Sequence, residues 1–343
     1  MNPNLLPLLI CPATKAPLVL KNGETDEHGR IIAGILVAKG HPKNTYPIIN
    51  GIPRFVPQEG PASQRSVDHF GDQWNHFNFD KYRYNWENHV VKRSFGSTGF
   101  YKGKIVIDAG AGSGMMTRWI AESGAKQVIA LELSHSVDDV MRRNLATLSN
   151  VDIIQCTIDN IPFKNGAIVG LVGCTNVIQH TPSVEGTARE LWRITGDGGE
   201  MAFTCYGRDD STLARRVRHK VYTAVRAVVS KLPFWGIMAY AWLMSALRMI
   251  PVVGVVVEKA DLMRRGDVEQ GGTGWWGQMV RNFQAGVINT FDYFGSHAYQ
   301  HHRSLAELQA LADDLQPKRT KQLNRKAFFV NPQAAGIMLR LQK

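Results

Sequence analysis

Between residue 104 and about residue 206, short apolar runs alternate with longer stretches whose apolar residues recur at helical spacing. This alternation is typical of βαβ units, so we expect an α/β domain with a doubly wound parallel sheet that binds ligands at the carboxyl ends of its strands. The predicted strands are residues 105–107, 127–131, 151–154, 168–172 and 200–205. The predicted helices are residues 115–123, 137–148, 187–194 and 305–315.

The first sixty residues have a different pattern. Apolar runs at 18–20, 35–37 and 46–49 are separated by polar or glycine-containing segments, which predicts a compact β module. A Pro/Gly-rich stretch at 57–61 is typical of a linker. The predicted domains are a module at 1–60, a core at 61–207, a helical insertion at 208–266 and a C-terminal part of the core domain at 267–343.

The predicted insertion is basic over 211–231 and strongly apolar over 232–257. Pro233, Arg248 and Pro251 interrupt the apolar run, so it does not predict a membrane-spanning helix, which needs about 20 apolar residues. Two interpretations stay open. The segment is either a helical insertion packed over the core, or a basic amphipathic helix and an apolar hairpin lying on an anionic membrane surface.

The composition excludes some classes of protein but does not identify a function. Of the 343 residues 44% are hydrophobic and 20% charged, which is typical of globular chains and argues against disorder or a coiled coil. The net charge of +11 would attract nucleic acid, anionic lipid or acidic substrates. Four separated cysteines and an N-terminus unlike a signal peptide predict a reducing, cytoplasmic location, with peripheral membrane attachment as the alternative.

The strongest chemical signal is a glycine loop that follows the first strand of this pattern. The strand ends in Asp108, and Gly110, Gly112 and Gly114 lead into the next predicted helix. Glycines let a ligand approach the backbone closely, and a helix N-terminus offers free N–H groups. Glu132 ends the second strand, where an acidic side chain can accept the hydroxyls of a ribose. A nucleoside-containing ligand is expected.

The motif D-x-G-x-G-x-G, formed by Asp108, Gly110, Gly112 and Gly114, resembles the first motif of class I S-adenosylmethionine-dependent methyltransferases. Segments 177–182 and 193–199 resemble two further stretches of that family. The resemblance implies a methyltransferase with a Rossmann-like, seven-stranded sheet and S-adenosylmethionine as cofactor. It also implies that the glycines pass the methionine moiety and that Glu132 holds the ribose.

The same resemblance places the adenine beside Thr157, Ile158 and Asp159. Family members commonly carry an acidic residue where Thr157 stands, so the adenine contact differs here. Asp159 is an alternative partner for the adenine, and its other interpretation is a surface turn residue.

Two N-terminal features also resemble parts of bacterial methyltransferase fusions. Residues 5–12 and 46–53 are similar to the zinc ribbon of tRNA-methyltransferase activators. Only Cys11 remains of its cysteine pairs, with Thr14 in the partner position, so we expect no metal. The F-G-x-x-W element at 70–74 implies a cap over the cofactor pocket. Its alternative interpretation is an ordinary apolar helix face made by Phe70 and Trp74.

The catalytic candidates are His180, His301 and Tyr299. Methyl transfer to a hydroxyl needs alignment and a base that removes the proton. His180 is expected just past the fourth strand, at the ligand-binding edge, although a buried structural histidine is the competing interpretation. His301 and Tyr299 belong to a Y-Q-H-H stretch resembling the lip of the substrate pocket, for which surface polarity or metal binding are the alternatives.

The predicted reaction is methyl transfer to a small-molecule or lipid- or glycan-linked acceptor. An insertion rich in aromatic residues suits an apolar or membrane-borne acceptor. Those residues are Trp235, Tyr240, Trp242, Trp275 and Trp276. The alternatives are an RNA methyltransferase, suggested by the charge and the ribbon-like module, and a non-catalytic binding protein that kept the fold. No recognised RNA-binding motif supports a nucleic-acid partner.

Overall fold

The computed structural model describes residues 1–56, 61–208, 212–264, 274–295, 297–323 and 336–343. The chain begins with four antiparallel strands, β1 (Leu18–Thr25), β2 (Ile31–Ala38), β3 (His41–Ile49) and β4 (Ile52–Phe55). Asn50 and Gly51 join β3 to β4 with φ angles of 53° and 78°, the pair of left-handed residues that a tight hairpin turn requires. Residues 57–60 of the predicted linker lie outside the described ranges.

The N-terminal strands continue into the main sheet instead of standing apart from it. Strand β4 pairs in parallel with β7 (Val151–Cys156) through Arg54 opposite Gln155 and Phe55 opposite Cys156. Arg30 donates a hydrogen bond to the buried Asp152 of β7 at 2.7 Å. The domain boundary near residue 60 stays a prediction.

Seven of the described strands form the central sheet, in the order β7-β6-β5-β8-β9-β12-β11. The first five in this order are parallel, and β12 runs antiparallel to both of its neighbours. Besides β7, their bounds are β5 (Ile105–Ala109), β6 (Gln127–Glu132), β8 (Leu171–Cys174), β9 (Glu200–Gly207), β11 (Arg319–Leu323) and β12 (Gly336–Gln342). A short β10 (His302–Arg303) pairs with the end of β9. The predicted Rossmann-like seven-stranded sheet is confirmed.

Helices cover both faces of this sheet. One face packs α4 (Met115–Glu122) and α5 (Val140–Leu145) through Trp119 and Met141, and the other packs α6 (Val184–Ile194) and α11 (Leu305–Asp314) through Leu191 and Leu311. Adjacent strand residues such as Val106 and Ile107 point to opposite faces and are both fully buried. Before the sheet come α1 (Pro61–His76), α2 (Arg83–Asn85) and α3 (Lys92–Phe95).

Several predicted boundaries were wrong, and the helix predicted at 137–148 is only Val140–Leu145 in the structure. The fourth strand begins at Leu171 and not at Ile168, because the Ile168 backbone bonds instead to Ile194 and Gly196 in the turn before β9. Helix α6 starts earlier than predicted, at Val184, because the Ser183 side chain accepts the Gly186 N–H and caps it. The first shift comes from contacts distant in sequence, and the second from a local cap.

The segment after β9 forms α7 (Leu213–Val229), α8 (Phe234–Leu247) and α9 (Pro251–Lys259), followed by α10 (Trp275–Phe294). Helices α8 and α10 pack antiparallel, since Phe234 meets Phe291 at 4.9 Å and Trp242 meets Phe283 at 5.3 Å between ring centroids. None of the described helices has the length and apolar character needed to cross a bilayer.

Candidate active site

The glycine loop between β5 and α4 has the backbone conformation that its sequence predicts. Gly110, Gly112 and Gly114 have φ angles of 78°, 57° and 78°, a region that favours glycine. A Cβ atom on Gly112 would lie 2.8 Å from the indole ring of Trp74, and one on Gly110 would lie 2.4 Å from Val177. Glycine is therefore needed both for the turn and for close approach.

Glu132 lies at the end of β6, next to this loop. Its Oε2 accepts the backbone N–H of Gly112 at 2.8 Å, and its Oε1 accepts the backbone N–H of Ser134 at 2.8 Å. The residue is 8% exposed. These two hydrogen bonds fix the carboxylate against the loop. Each oxygen keeps a second lone pair, so the carboxylate can also accept hydrogen bonds from ribose hydroxyls.

Asp108, the acidic residue of the motif, is held on the buried side of the loop. Its Oδ2 accepts the Thr117 hydroxyl at 2.6 Å, and this hydrogen bond ties the end of β5 to the first turns of α4. Burial raises the pKa of Asp108 to about 6. The structure thus shows Asp108 bracing the loop, and its predicted contact with the cofactor stays a prediction.

The residues predicted to lie beside adenine follow β7. Ile158 is buried, Asp159 is exposed, and the Thr157 hydroxyl donates to the Asp159 carboxylate. The two polar side chains therefore form one local pair at the strand end. Their proposed contact with adenine stays a prediction.

These residues fit S-adenosylmethionine. The glycine loop has no room for a Cβ, which suits close approach of the methionine part of the cofactor. A buried acidic residue anchored to the loop backbone suits the ribose.

His180 lies in the 3-10 turn Ile178–His180 beyond β8. Its Nδ1 is 3.2 Å from the Tyr299 carbonyl oxygen. A carbonyl can only accept, so in the neutral ring Nδ1 carries the proton and Nε2 is left as the acceptor. Burial lowers the pKa of His180. The ring is thus neutral near pH 7, with a fixed tautomer suited to a general base.

His297, which the sequence analysis did not single out, lies beside His180. The ring centroids of the two histidines are 4.6 Å apart. His297 Nε2 lies 2.7 Å from the Asp292 carbonyl oxygen, whereas its Nδ1 is buried and has no hydrogen-bond partner among the described residues. Burial, with the neighbouring His180, lowers the pKa of His297 well below its usual value. An isolated histidine in a non-periodic segment carried no sequence signal.

Asp292 connects three elements around this histidine pair. Its Oδ1 accepts from the Gln73 amide at 3.1 Å, and its Oδ2 accepts from the Tyr206 hydroxyl at 2.9 Å. These partners lie on α1 and β9, while Asp292 itself is on α10. The Asp292 charge also acts to raise the pKa of His180, against the effect of burial. Asp292 is thus a positioning residue. It links α1 and β9 to α10, and its negative charge acts to raise the pKa of His180.

Helix α1 spans the glycine loop and the histidine pair. Phe70 stacks on His297 with a centroid distance of 4.2 Å and packs edge-on against His180 at 5.3 Å. One turn later, Trp74 stacks on Phe70 at 6.4 Å and reaches the face of Gly112. The F-G-x-x-W element therefore contacts both halves of the site, and its capping of a bound cofactor stays a prediction.

The other two catalytic candidates reach His180 through the backbone. Tyr299 presents its carbonyl oxygen to His180. His301 Nε2 lies 3.1 Å from the Thr181 carbonyl oxygen, and the His301 N–H donates to the Gln179 carbonyl. His180, Tyr299 and His301 thus lie close together. Tyr299 and His301 make contacts that position the turn carrying His180.

Cys11 in the N-terminal module is buried, and its Sγ lies 3.1 Å from the Tyr46 hydroxyl and accepts the Thr14 N–H at 3.4 Å. Within the described parts of the chain, no group of three or more His, Cys, Asp or Glu side chains is arranged to hold a metal ion. The resemblance of this module to a zinc ribbon stays a prediction.

A protein-family model described as "Methyltransferase domain" matches residues 107–203, which run from the glycine loop's strand to β9. These residues are therefore similar to a methyltransferase domain. The match supports the predicted class, a methyltransferase that depends on S-adenosylmethionine, for this part of the chain.

Relatives match over the same part of the chain. The ubiquinone biosynthesis O-methyltransferase of Vibrio parahaemolyticus is 27% identical over 141 residues, which cover 41% of this chain and 55% of that protein. The protein of that name from Coxiella burnetii is 28% identical over 127 residues, covering 37% and 50%. The chain therefore spans about half the length of these curated relatives.

Solved structures of methyltransferases are similar over more of the chain, at lower identity. Magnesium protoporphyrin IX methyltransferase from Synechocystis has a TM-score of 0.40 at 13% identity, covering 79% of this chain and 94% of that one. An S-adenosylmethionine-dependent methyltransferase from Mesorhizobium loti has a TM-score of 0.39 at 12% identity, covering 71% and 92%.

Proposed function

We propose that this protein transfers the methyl group of S-adenosylmethionine to a hydroxyl oxygen of a small, largely apolar molecule. The observation that carries the proposal is that α1 joins a glycine loop anchored by Glu132 to a half-buried histidine whose tautomer is fixed by a backbone carbonyl. The relatives that are named O-methyltransferases support oxygen as the methylated atom.

In this mechanism the glycine loop and Glu132 would hold the cofactor, which would supply an electrophilic methyl group on a sulfonium. Methyl transfer is an in-line displacement, so the protein aligns the acceptor oxygen and removes its proton. His180 Nε2 takes that proton, and the Tyr299 carbonyl stabilises the resulting imidazolium through Nδ1–H. The Asp292 carboxylate favours the charged ring electrostatically.

The acceptor half of the site is lined by rings and has few charges. Phe70 packs against both rings of the histidine pair, and Tyr206 packs edge-on against His180 at 5.5 Å between ring centroids. Such walls favour an apolar or aromatic body, and the histidines supply the polar contact that orients a hydroxyl. We include lipid-linked and glycan-linked hydroxyl compounds in the acceptor class. The cytoplasmic location is part of the proposal.

The first experiment is calorimetric titration with S-adenosylhomocysteine, with NAD as the control ligand. We expect micromolar binding of the first alone. Glu132→Ala should remove that binding, whereas Glu27→Ala, which changes an exposed acidic residue of the N-terminal module, should leave it unchanged. Equal affinity in Glu132→Ala would contradict the assignment of the ribose contact.

The second experiment measures S-adenosylhomocysteine release with an alkyl-substituted catechol and with its di-O-methyl ether. Only the catechol has free hydroxyls, so only the catechol should support turnover. Cofactor binding without turnover on any hydroxyl acceptor would favour a non-catalytic binding protein. Tight, salt-sensitive RNA binding with methylation of that RNA would favour an RNA methyltransferase.

A further inference from the structure

The helices after β9 present an apolar surface to solvent. Helix α8 has no charged residue, and its buried side, which includes Ile237 and Ala241, packs into the core shared with α10. Its opposite side carries Trp235, Trp242 and Leu243, which are 68%, 56% and 55% exposed. A helix that is apolar on both sides is normally buried on both sides, so a partner that covers the outer side is expected.

The exposed apolar surface extends beyond α8. Because α8 and α10 are antiparallel, Trp275 and Trp276 at the start of α10 lie towards the C-terminal end of α8. They are 74% and 61% exposed. Helix α9 adds further exposed valines, Val252, Val253, Val255 and Val256. We call the exposed side chains of α7–α10 the insertion face.

Helix α7 supplies positive charge beside apolar residues. Leu213, Val217, Val221 and Val228 are exposed and recur at helical spacing, so they form one stripe. Arg216 and Lys220 are exposed on the same helix. Residues 212–264 and 274–295 together contain ten Lys and Arg against three Asp and Glu.

None of these three acidic residues adds negative charge to an open surface. Glu258 pairs with Arg248 at 2.7 Å, Asp261 with Arg218 at 2.9 Å, and Asp292 belongs to the active site. The insertion face therefore combines tryptophans, aliphatic side chains and a cationic excess.

We propose that the insertion face binds the surface of an anionic lipid bilayer. Tryptophan favours the membrane interface, and cationic residues beside an apolar stripe are the composition of helices that lie in it. A second copy of the chain would bring two cationic faces together, whereas an anionic lipid surface is complementary to this charge. Attachment of this kind needs no membrane-spanning helix.

The insertion face is continuous with the elements that cover the active site. His76 at the end of α1 packs against Phe234 and Trp235 of α8, with centroid distances of 5.5 and 5.6 Å. Helix α1 in turn contacts Gly112 and the histidine pair. A bilayer at this face would therefore lie next to the helix that packs on both the glycine loop and the histidine pair.

The test is flotation of the full chain with vesicles, without cofactor or acceptor, so its outcome is independent of the proposed reaction. Vesicles of phosphatidylglycerol and phosphatidylcholine in equal parts should bind the protein, and pure phosphatidylcholine should bind it much more weakly. High salt should weaken the first interaction. A blue shift of tryptophan fluorescence should accompany binding.

Two pairs of variants distinguish the contributions. Trp275→Ser with Trp276→Ser should weaken vesicle binding at least about tenfold, while Val169→Ser with Ile49→Ser, at exposed apolar sites elsewhere, should not change it. Arg216→Glu with Lys220→Glu should also weaken it at least about tenfold, compared with Arg142→Glu and Arg143→Glu on the exposed side of α5.

Three outcomes would overturn the proposal. They are no binding to anionic vesicles, equal binding by the Trp275 and Trp276 variant, and a stable dimer that this variant dissociates. The last result would assign the insertion face to a second copy of the chain.

Discussion

The two halves of the candidate site are built in different ways. The cofactor half is largely backbone, with a glycine loop whose N–H at Gly112 bonds to one carboxylate from the adjacent strand. The acceptor half is made of side chains brought together from α1, the turn after β8, α10 and the segment around His297. The first depends on residues close in sequence, and the second on contacts as distant as that between Gln73 and Asp292.

Because of this difference, the two halves should respond differently to amino-acid substitutions. A Cβ added to the glycine loop would collide with a packed side chain, at 2.8 Å for Gly112 and at 2.4 Å for Gly110. A side-chain network loses function in steps, because each member can be changed while the others stay in place. Variants of the two halves should therefore separate binding from turnover.

The largest effect is expected from Gly112→Leu. Its side chain does not fit beside the Trp74 ring, 2.8 Å from the Cβ position, so the loop and its hydrogen bond from Gly112 to Glu132 would be displaced. Calorimetry should then detect no S-adenosylhomocysteine binding. Gly198→Leu is the control, because Gly198 has a similar φ of 78° and no atom within 4 Å of its Cβ position. The control has a comparable backbone strain and should bind normally. Loss of binding in both variants would show that strain, and not the site, is responsible.

The next effect is on turnover alone. His180→Gln should lower kcat by about a hundredfold, the usual loss for a general base, and leave the affinity for S-adenosylhomocysteine unchanged. His301→Gln should cost only a few-fold, since its ring contacts the Thr181 carbonyl. A larger loss in His301→Gln than in His180→Gln would reverse this assignment.

The wild-type pH profile tests the same base. The neutral ring is active, and burial lowers the pKa of His180 from its usual 6.5. Activity should therefore persist at pH 6.5 and fall only at more acidic values. The acid limb should disappear in His180→Gln. A limb above 6.5 would contradict a buried neutral base.

The positions of the glycine loop and of Glu132 beside it could be predicted from the sequence because their requirements are local. Glycines at fixed spacing after a strand and an acidic residue at the next strand end follow from backbone geometry. His297 and Tyr206 could not be predicted as partners of His180 and Asp292, since nothing local distinguishes them. Ile168 shows the same limit at the level of secondary structure: its apolar neighbourhood predicted a strand, and a tertiary turn took its hydrogen bonds.

A smaller effect is expected when the network behind the histidines is weakened. Asp292→Asn removes the charge that favours protonated His180 and leaves one side-chain oxygen for Gln73 and Tyr206. We expect kcat to fall about tenfold through misalignment and the acid limb to move to lower pH. Asp314→Asn, at an exposed ion pair with Arg189, is the control and should change neither quantity. An unchanged acid limb would reduce Asp292 to a purely structural role.

The smallest effect should come from Trp74, the residue that contacts both halves. Trp74→Leu removes the ring that covers Gly112 but keeps an apolar side chain against Phe70. We expect S-adenosylhomocysteine to associate and dissociate a few-fold faster in stopped-flow experiments, with a nearly unchanged Kd, because a cover over a site alters both rates together. Trp192→Leu, in α6 and away from the loop, is the control. A Kd weakened more than about tenfold would mean that Trp74 binds the cofactor directly, and the boundary between the two halves would then lie within α1.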